Sequence, residues 1–326
     1  HDGRLSGVWQ RCCPLWRGLE HLDQALDGIQ AGMPNLQARH AVTMTGEMTD
    51  LFENRDNGVH TLVDRLCDRL GGAERVRFYA GADGWMNAGA TRLRPQPVAS
   101  ANWHATAAMV AAGLGDALLV DIGSTTCDLI PLRDRRVASS SSGDSDRLAA
   151  GELVYSGVVR TPLMALTDKA PVRGRWTPLM AEHFATTADV YRVLGWLPEA
   201  ADLHESADGG AKTVAASRIR LARMVGRDAA ELADAAWDEL ASWFVDAQLE
   251  KIAHAARQVL SRGLLPATAP VVTAGAGAFL AERLATRLGR AAVDFSSLLG
   301  DDANRHDVAT CAPAIAVAWL LKKERA

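Results

Sequence analysis

The 326-residue chain lacks the features that mark several large classes of protein. Its five cysteines are odd in number and form no Cys-x-x-Cys pair, which argues against a disulfide framework and against a zinc knuckle. No run of 18 or more apolar residues occurs, so no membrane-spanning helix is expected. A formal net charge of −4 argues against nucleic acid as the main partner. No signal peptide is recognised, and the cytoplasm is the expected location.

The common catalytic signatures are missing as well. The sequence has no Ser-His-Asp spacing, no His-Glu-x-x-His motif and no repeat of fixed period. Its 48% of hydrophobic and 23% of charged residues are ordinary for a globular protein. Strand patterns alternate with helix patterns in both halves, and each half has a glycine turn after a strand. This order predicts an α/β protein of two lobes with a cleft between them.

The predicted domains follow from where these patterns change. Residues 1–115 form the first lobe, residues 116–305 form the second lobe with a helical insertion, and the final helix at 306–326 can return to the first lobe. Asp2 and Gly3 are a hairpin-turn signal, and residues 4–12 are predicted to be the strand that leaves this turn. The partner strand would precede His1, and we therefore expect a missing N-terminal strand.

The most informative stretch is LLVDIGSTTCDLIPL, at residues 118–132. It predicts two apolar strands, with Asp121 near the end of the first and Asp128 near the start of the second. The turn between them consists of small residues, Gly123, Ser124, Thr125 and Thr126. Such a turn presents N–H groups and hydroxyls to phosphate oxygens, and an aspartate at a strand end binds Mg²⁺. The alternative is a hairpin whose hydroxyls bind their own backbone.

A second group of candidates is acidic. Glu47, Asp50 and Glu53 are spaced three residues apart, so on a helix they share one face. A pair of carboxylates just beyond a strand end can bind an amine or a metal. Acidic residues in a first helical turn also complement the helix dipole, and the two interpretations remain open.

Three further residues have the chemistry of a phosphate site. In PVVTAGAGAFL, residues 270–280, a strand runs into Gly275 and Gly277, where a nucleotide or diphosphate can approach the backbone. Close packing of helix on strand explains these glycines equally well. Arg160 can bind a phosphate or carboxylate with two hydrogen bonds, or form a surface salt bridge. His104 is expected to be structural rather than catalytic. His183 and Asp189 could flank a cleft, but Asp189 with Arg192 also suits an ordinary ion pair.

Taken together, these segments resemble a known family. DIGSTTCDLIPL is similar to the second phosphate motif of the hydantoinase/oxoprolinase branch of the acetate kinase, sugar kinase, Hsp70 and actin superfamily. The segments TMTGEMTDLFENRDNGV, FYAG, ASANWHATA, GELVYSGVVRTP and AEHFATTADVYRVLG extend the resemblance over nearly the whole chain. They resemble the subgroup connected with tetrahydromethanopterin-linked one-carbon transfer and methanofuran biosynthesis. Members of the superfamily typically begin with a first, WDIGG-like phosphate motif, and we expect this motif to be missing here together with the N-terminal strand.

The resemblance implies a two-lobed, actin-like and ribonuclease-H-like fold. It also implies a transferase that condenses an aminomethylfuran-methyl diphosphate with γ-glutamyltyramine, forming an aryl ether and releasing pyrophosphate. Asp121, the turn at 123–126 and Mg²⁺ would hold the diphosphate, while Glu47 or Asp50 would bind an ammonium group or receive the phenol proton. The partners would be small molecules, with a homodimer as a candidate assembly. The alternatives are an ATP-dependent kinase or hydrolase and a non-catalytic binding protein.

Overall fold

A computed structural model describes residues 5–33, 38–299 and 305–324 of the chain, the side chains of residues 305 and 306 excepted. The α-helices are α1 (Glu20–Gln30), α2 (Arg55–Arg69), α3 (Ala88–Leu93), α4 (Asn102–Leu114), α5 (Asp144–Ala149), α6 (Thr187–Val193), α7 (Val214–Met224), α8 (Asp234–Leu260), α9 (Ala278–Arg287), α10 (Arg305–Thr310) and α11 (Ala312–Lys323). The strands are β1 (His40–Val42), β2 (Val76–Tyr79), β3 (Trp85–Met86), β4 (Ala117–Ile122), β5 (Cys127–Arg133), β6 (Arg136–Val137), β7 (Leu153–Val154), β8 (Lys169–Val172), β9 (Arg175–Pro178), β10 (Val271–Ala274) and β11 (Ala292–Asp294).

The chain divides into two compact units. The first contains His1–Gly115, Asp134–Val137 and Leu298–Ala326, as far as these residues are described. The second contains Asp116–Arg133 and Ala138–Ser297. No helix in the described part of the chain is both long enough and apolar enough to cross a lipid bilayer.

The first unit is built on a small sheet in which β1 pairs with β2 in parallel and β2 pairs with β3 in antiparallel. Helix α2 begins at Arg55 because the side chain of Asn54 accepts a hydrogen bond from the N–H of Asn57 and caps the helix. The apolar face of α2 then packs on the sheet, with Val59, Val63 and Phe78 fully buried in the core. Because β1 and β2 are parallel, the residues that follow them lie at one edge of the sheet, where α/β proteins bind ligands.

The second unit has a sheet with the strand order β11-β10-β4-β5, and β7 adds to β5. Strand β10 is parallel to both β11 and β4, whereas β4 and β5 form an antiparallel hairpin. Every residue of β4 is buried, which explains its continuous apolar sequence. Because β4 and β10 are parallel, the turns that follow Ile122 and Ala274 lie at the same edge of the sheet. The predicted strand-turn-strand at 118–132 and the predicted strand at 270–274 are confirmed.

Three local predictions are wrong. Residues 5–12 form no strand; instead Arg11 donates a hydrogen bond to the carbonyl of Gly28 in α1, 3.2 Å away. The predicted turn at Asp2 and Gly3 lies outside the described residues. The sequence predicts two helices at 229–236 and 238–261, but α8 runs unbroken from Asp234 because Trp237 is buried in the core. The sequence also predicts a helix near residues 178–194, but the helix begins only at Thr187, after a capping box formed by Thr186 and Asp189.

Candidate functional site

The turn between β4 and β5 has the geometry of an anion-binding loop. It is closed by a hydrogen bond from the N–H of Gly123 to the carbonyl of Thr126, 2.8 Å away. The next three N–H groups, those of Ser124, Thr125 and Thr126, make no hydrogen bond within the described residues. These residues are half-buried, so their N–H groups need an external acceptor. Successive N–H groups of this kind form a concave site for phosphate oxygens.

A second loop, residues 156–161, holds this turn in place. The N–H of Val158 donates to the carbonyl of Gly123 at 3.0 Å, and the N–H groups of Val159 and Arg160 donate to the carbonyl of Ser124 at 3.1 and 2.8 Å. Gly157 makes the approach possible, because a Cβ atom there would lie 2.4 Å from the peptide atoms of Ser124 and Thr125. The loop thus binds the carbonyls of Gly123 and Ser124, while the N–H groups of Ser124, Thr125 and Thr126 have no acceptor within the described residues.

The glycine turn after β10 lies against the same hairpin. The N–H of Gly277 donates to the carbonyl of Ile122 at 2.8 Å. Gly275 has a left-handed backbone, and a Cβ atom on it would lie 2.3 Å from the carbonyl oxygen of Ile122 and 2.5 Å from Oδ1 of Asp121. Close packing, one of the two interpretations of these glycines, is therefore present. Their role in phosphate binding stays a prediction.

Asp121 and Asp128 are register partners across β4 and β5, but they differ in their surroundings. Asp128 forms a buried ion pair with Arg147. Asp121 is only 8% exposed, and its carboxylate has no hydrogen bond or ion pair within the described residues. Loss of solvation, together with the nearby charge of Asp128, raises the pKa of Asp121 to about 8. The pKa of Asp128 is also raised by burial, and Arg147 opposes this rise.

These surroundings bear on the predicted metal site. Mg²⁺ is usually held by one or two carboxylates together with water and substrate phosphates, and a buried carboxylate without a cationic partner fits such a site. Asp121 meets this description, while one oxygen of Asp128 is already bonded to Arg147. The described part of the chain contains no group of three or more His, Cys, Asp or Glu side chains arranged for a metal ion.

Arg160 is exposed, and its backbone N–H donates to the carbonyl of Ser124 in the turn at residues 123–126. Its charge also acts on His204, whose pKa is lowered first by burial and then by Arg160. The second unit thus brings together most of the predicted site residues: Asp121, Gly123, Ser124, Thr125, Thr126, Asp128, Arg160, Gly275 and Gly277. Glu47 and Asp50 belong to the first unit.

The acidic segment of the first unit differs from its prediction. Glu47, Asp50 and Glu53 lie in turns rather than on a helix, because α2 begins only at Arg55. Asp50 and Glu53 are exposed, whereas Glu47 is fully buried. Oε1 of Glu47 accepts a hydrogen bond from Oγ of Ser100 at 2.7 Å. The three carboxylates therefore share no face, and only Glu47 is held by the fold.

Several important residues were not singled out from the sequence. Gly58 lies inside α2, and a Cβ atom there would lie 2.3 Å from the carbonyl oxygen of Glu47, so this glycine admits the acidic segment. Ser100, Arg147 and Gly157 also contact site residues that are distant in the sequence. Of these residues, only Gly58 gave a local signal in the sequence, because it is a glycine inside a helical pattern. Two structural expectations are met: His104 Nδ1 lies 2.9 Å from the hydroxyl of Tyr79, and Arg192 lies 3.3 Å from Asp189.

Comparisons with known proteins agree on one family. The model of a family described as hydantoinase/oxoprolinase matches residues 39–323. A protein of Methanocaldococcus jannaschii, named (4-{4-[2-(gamma-L-glutamylamino)ethyl]phenoxymethyl}furan-2-yl)methanamine synthase, is 28% identical over 95% of this chain and 89% of its own length. A protein of Methanococcus vannielii with the same name is 28% identical over 64% of this chain and 91% of its own length.

A solved structure has a similar fold. The nucleotide-free structure of an acetone carboxylase superposes with a TM-score of 0.50 and 12% sequence identity. The match covers 92% of this chain but only 45% of the carboxylase chain. At this identity the likeness concerns the fold alone. The predicted actin-like α/β fold class and the resemblance stated from the sequence are both confirmed.

Proposed function

This chain belongs to the hydantoinase/oxoprolinase family, and from this premise we propose that it is a transferase that makes an aryl ether in methanofuran-type cofactor biosynthesis. It condenses an aminomethylfuran-methyl diphosphate with γ-glutamyltyramine and releases pyrophosphate. The names of the two archaeal relatives support this proposal, since they describe a phenoxymethyl ether that joins a glutamylaminoethyl-phenyl group to a furan. Formation of that ether requires a leaving group on the furan-methyl carbon.

The observation that carries the proposal is the row of three N–H groups at Ser124, Thr125 and Thr126 that have no hydrogen-bond acceptor among the residues the structure describes. A diphosphate gains negative charge as its bond to carbon breaks, and fixed N–H donors stabilise that charge without reorganising. The loop at residues 156–161 keeps these donors in place. The furan ring donates electrons to the carbon that loses the diphosphate and thereby stabilises positive charge on that carbon. We therefore expect stabilisation of the leaving diphosphate to be the main contribution to lowering the activation barrier.

Other residues of the second unit have supporting roles in the proposal. Arg160 binds a diphosphate oxygen, and Gly275 and Gly277 let the diphosphate approach the backbone at the start of α9. Asp121 would hold Mg²⁺, which would neutralise part of the diphosphate charge. Asp128 is proposed as a second ligand of the metal, although its ion pair with Arg147 limits the oxygens it can offer.

In the first unit, Glu47 and Asp50 are the candidates for binding the acceptor. The enzyme is proposed to act in the cytoplasm, with a homodimer as its candidate assembly.

The decisive experiment compares two incubations of the full chain with Mg²⁺. One contains ATP alone, and the other contains the furan-methyl diphosphate with γ-glutamyltyramine; product ether and released pyrophosphate are both measured. The proposal predicts ether and pyrophosphate in equal amounts in the second incubation, and a loss of both when a chelator removes the metal. ATP turnover without ether formation would favour the kinase or hydrolase alternative. A protein inactive in both incubations would favour the binding-protein alternative.

A further inference from the structure

A polar side chain on the buried face of α8 connects this helix to the phosphate site of the second unit. The structure describes α8 along its whole length, and Gln248 is the only one of its buried residues with an amide or charged side chain. Burial of an amide among apolar groups costs free energy unless its hydrogen bonds are made. An apolar residue would fill the same space without this requirement, so the partners of Gln248 indicate its role.

The hydrogen bonds of Gln248 hold the loop at residues 156–161. Its Nε2 donates to the carbonyl of Gly157 at 2.8 Å and to Oγ of Ser156 at 3.0 Å. Its Oε1 accepts a hydrogen bond from the hydroxyl of Tyr191 at 2.5 Å. A carbonyl oxygen can only accept, so the contact with Gly157 fixes which end of the amide faces the loop. The amide therefore binds the loop with both of its N–H donors.

Two buried threonines complete the attachment of Gly157. Oγ1 of Thr187, the first residue of α6, donates to the same carbonyl at 2.9 Å. The N–H of Gly157 donates to Oγ1 of Thr161 at 2.8 Å. Side chains from α6, from α8 and from the loop itself thus bind both polar groups of the Gly157 backbone. A buried network that is satisfied in this way specifies one arrangement of the groups that it joins.

Gly157 transmits this arrangement to the turn at residues 123–126 by close contact. A Cβ atom on Gly157 would lie 2.4 Å from the carbonyl carbon of Ser124 and 2.4 Å from the backbone nitrogen of Thr125. These two atoms belong to one planar peptide unit, whose N–H has no acceptor within the described residues. A shift of Gly157 would therefore tilt this N–H, and hydrogen bonds weaken steeply as their angle departs from linearity.

We propose that Gln248 and Thr187 are positioning residues of the diphosphate site. Their side chains hold the carbonyl of Gly157, and Gly157 holds the peptide that directs the N–H of Thr125 at a diphosphate oxygen. Both side chains are buried and act through the loop rather than on the substrate. N–H donors stabilise developing charge most when they do not have to reorganise. The inference rests on the function proposed above in one respect, the assignment of the turn to a diphosphate.

The test compares variants that remove these hydrogen bonds with a variant that keeps one of them. Thr187→Val preserves the shape of the side chain and removes its hydroxyl, Gln248→Met removes the amide, and Thr187→Ser keeps the hydroxyl. Binding of pyrophosphate with Mg²⁺ is measured by calorimetric titration of the full chain. Thr187→Val and Gln248→Met should each raise Kd for pyrophosphate by about 10-fold, while Thr187→Ser should stay within about twofold of the wild type.

Kinetics and a matched control separate positioning from folding. Thr187→Val should lower kcat/KM for the furan-methyl diphosphate by about 10-fold and leave KM for γ-glutamyltyramine unchanged. Ser217→Ala is the control, because Oγ of Ser217 is also buried but donates to Asp189, 2.7 Å away, instead of to the loop. This control should lose stability in thermal denaturation and still bind pyrophosphate like the wild type.

The outcomes that would overturn the proposal are distinct. If Thr187→Val or Gln248→Met binds pyrophosphate as tightly as the wild type, or if Ser217→Ala loses as much affinity as they do, the proposal is wrong. The function proposed above would stand in either case, since the wild type would still bind pyrophosphate and form the ether. If the wild type itself binds no pyrophosphate, the assignment of the turn to a diphosphate fails, and the positioning role fails with it.

Discussion

Asp121 and Asp128 lie opposite each other on neighbouring strands, and Asp128 alone of the two has a cationic partner within the described residues, Arg147. Arg147 is 1% exposed, so the Asp128–Arg147 pair is an internal element of the fold. Within the described residues the carboxylate of Asp121 has no such compensation, and it lies near the end of β4, the strand that leads into the turn at residues 123–126. A destabilising arrangement of this kind is typical of functional sites.

Asp121→Asn is expected to separate stability from activity. Removing the uncompensated carboxylate should raise the free energy of unfolding of the ligand-free protein by at least about 1 kcal/mol. The same substitution should lower the rate of ether formation by about 10²-fold or more, because the site loses its proposed metal ligand. Chemical denaturation without metal or diphosphate measures the first effect, and steady-state kinetics with Mg²⁺ measures the second. A variant of unchanged stability and nearly normal rate would place the site elsewhere.

Asp128→Asn should lower the free energy of unfolding, whereas Asp121→Asn should raise it. Asp128→Asn removes the nearer of two carboxylates from the buried guanidinium of Arg147 and leaves Asp144, 3.9 Å away. Removal of one partner of a buried ion pair costs about 3–5 kcal/mol, so this variant should be strongly destabilised. Urea denaturation of the two variants side by side measures the difference. Equal stabilities would mean that the two carboxylates are not distinguished by Arg147.

Substitutions of Gly157 and Gly123 allow a matched test of how the turn at residues 123–126 is packed. An alanine Cβ at position 157 would lie 2.4 Å from the Ser124–Thr125 peptide, whereas at position 123 the nearest atom would be 3.7 Å away. Gly157→Ala should therefore displace the turn, cost about 1–3 kcal/mol and weaken binding of Mg²⁺-pyrophosphate. Gly123→Ala should fold normally. Calorimetric titration with pyrophosphate and thermal denaturation test both, and equal behaviour of the two variants would contradict the packing described for the turn.

The hairpin and its glycine turn could be predicted because their signals are local. Strand β4 is a continuous apolar run, and the small polar residues at 123–126 immediately follow it. The glycine turn after β10 was found in the same way. Their approach to each other was not predictable from local pattern, since it depends on parallel pairing of strands about 150 residues apart in the chain.

The acidic segment of the first unit shows why the arrangement of its carboxylates was predicted wrongly. Its i, i+3, i+6 spacing suggested a helix, but the cap at Asn54 delays the helix to Arg55, and the turn before it buries only Glu47. The partner that orients Glu47 is Ser100, 53 residues away. No periodic pattern encodes a contact between two turns. The sequence therefore indicated Glu47 as a candidate but not Ser100, its hydrogen-bond partner.

Asp189 is expected to matter for folding more than for catalysis. It is 1% exposed and accepts hydrogen bonds from Ser217 and Arg220, both at 2.7 Å, and from Arg192 at 3.3 Å. Asp189→Asn should cost about 3–5 kcal/mol of unfolding free energy, while the folded fraction keeps its kcat. Asp64→Asn, which breaks an exposed pair with Arg92, should cost less than about 1 kcal/mol. Urea denaturation compares the two costs, and similar values would show that burial of the Asp189 network adds nothing.

His40 should make the protein less stable in mild acid. Burial lowers its pKa from 6.5, nearby Arg75 lowers it further, and its Nε2 is buried without a partner within the described residues. As the pH falls below about 6.5, the unfolded chain binds a proton at this histidine before the folded protein does, so the free energy of unfolding decreases. Between about pH 8 and pH 5, His40→Gln should therefore lose less stability than the wild type. A His40→Gln curve parallel to that of the wild type would show that His40 protonates equally in the folded and unfolded states.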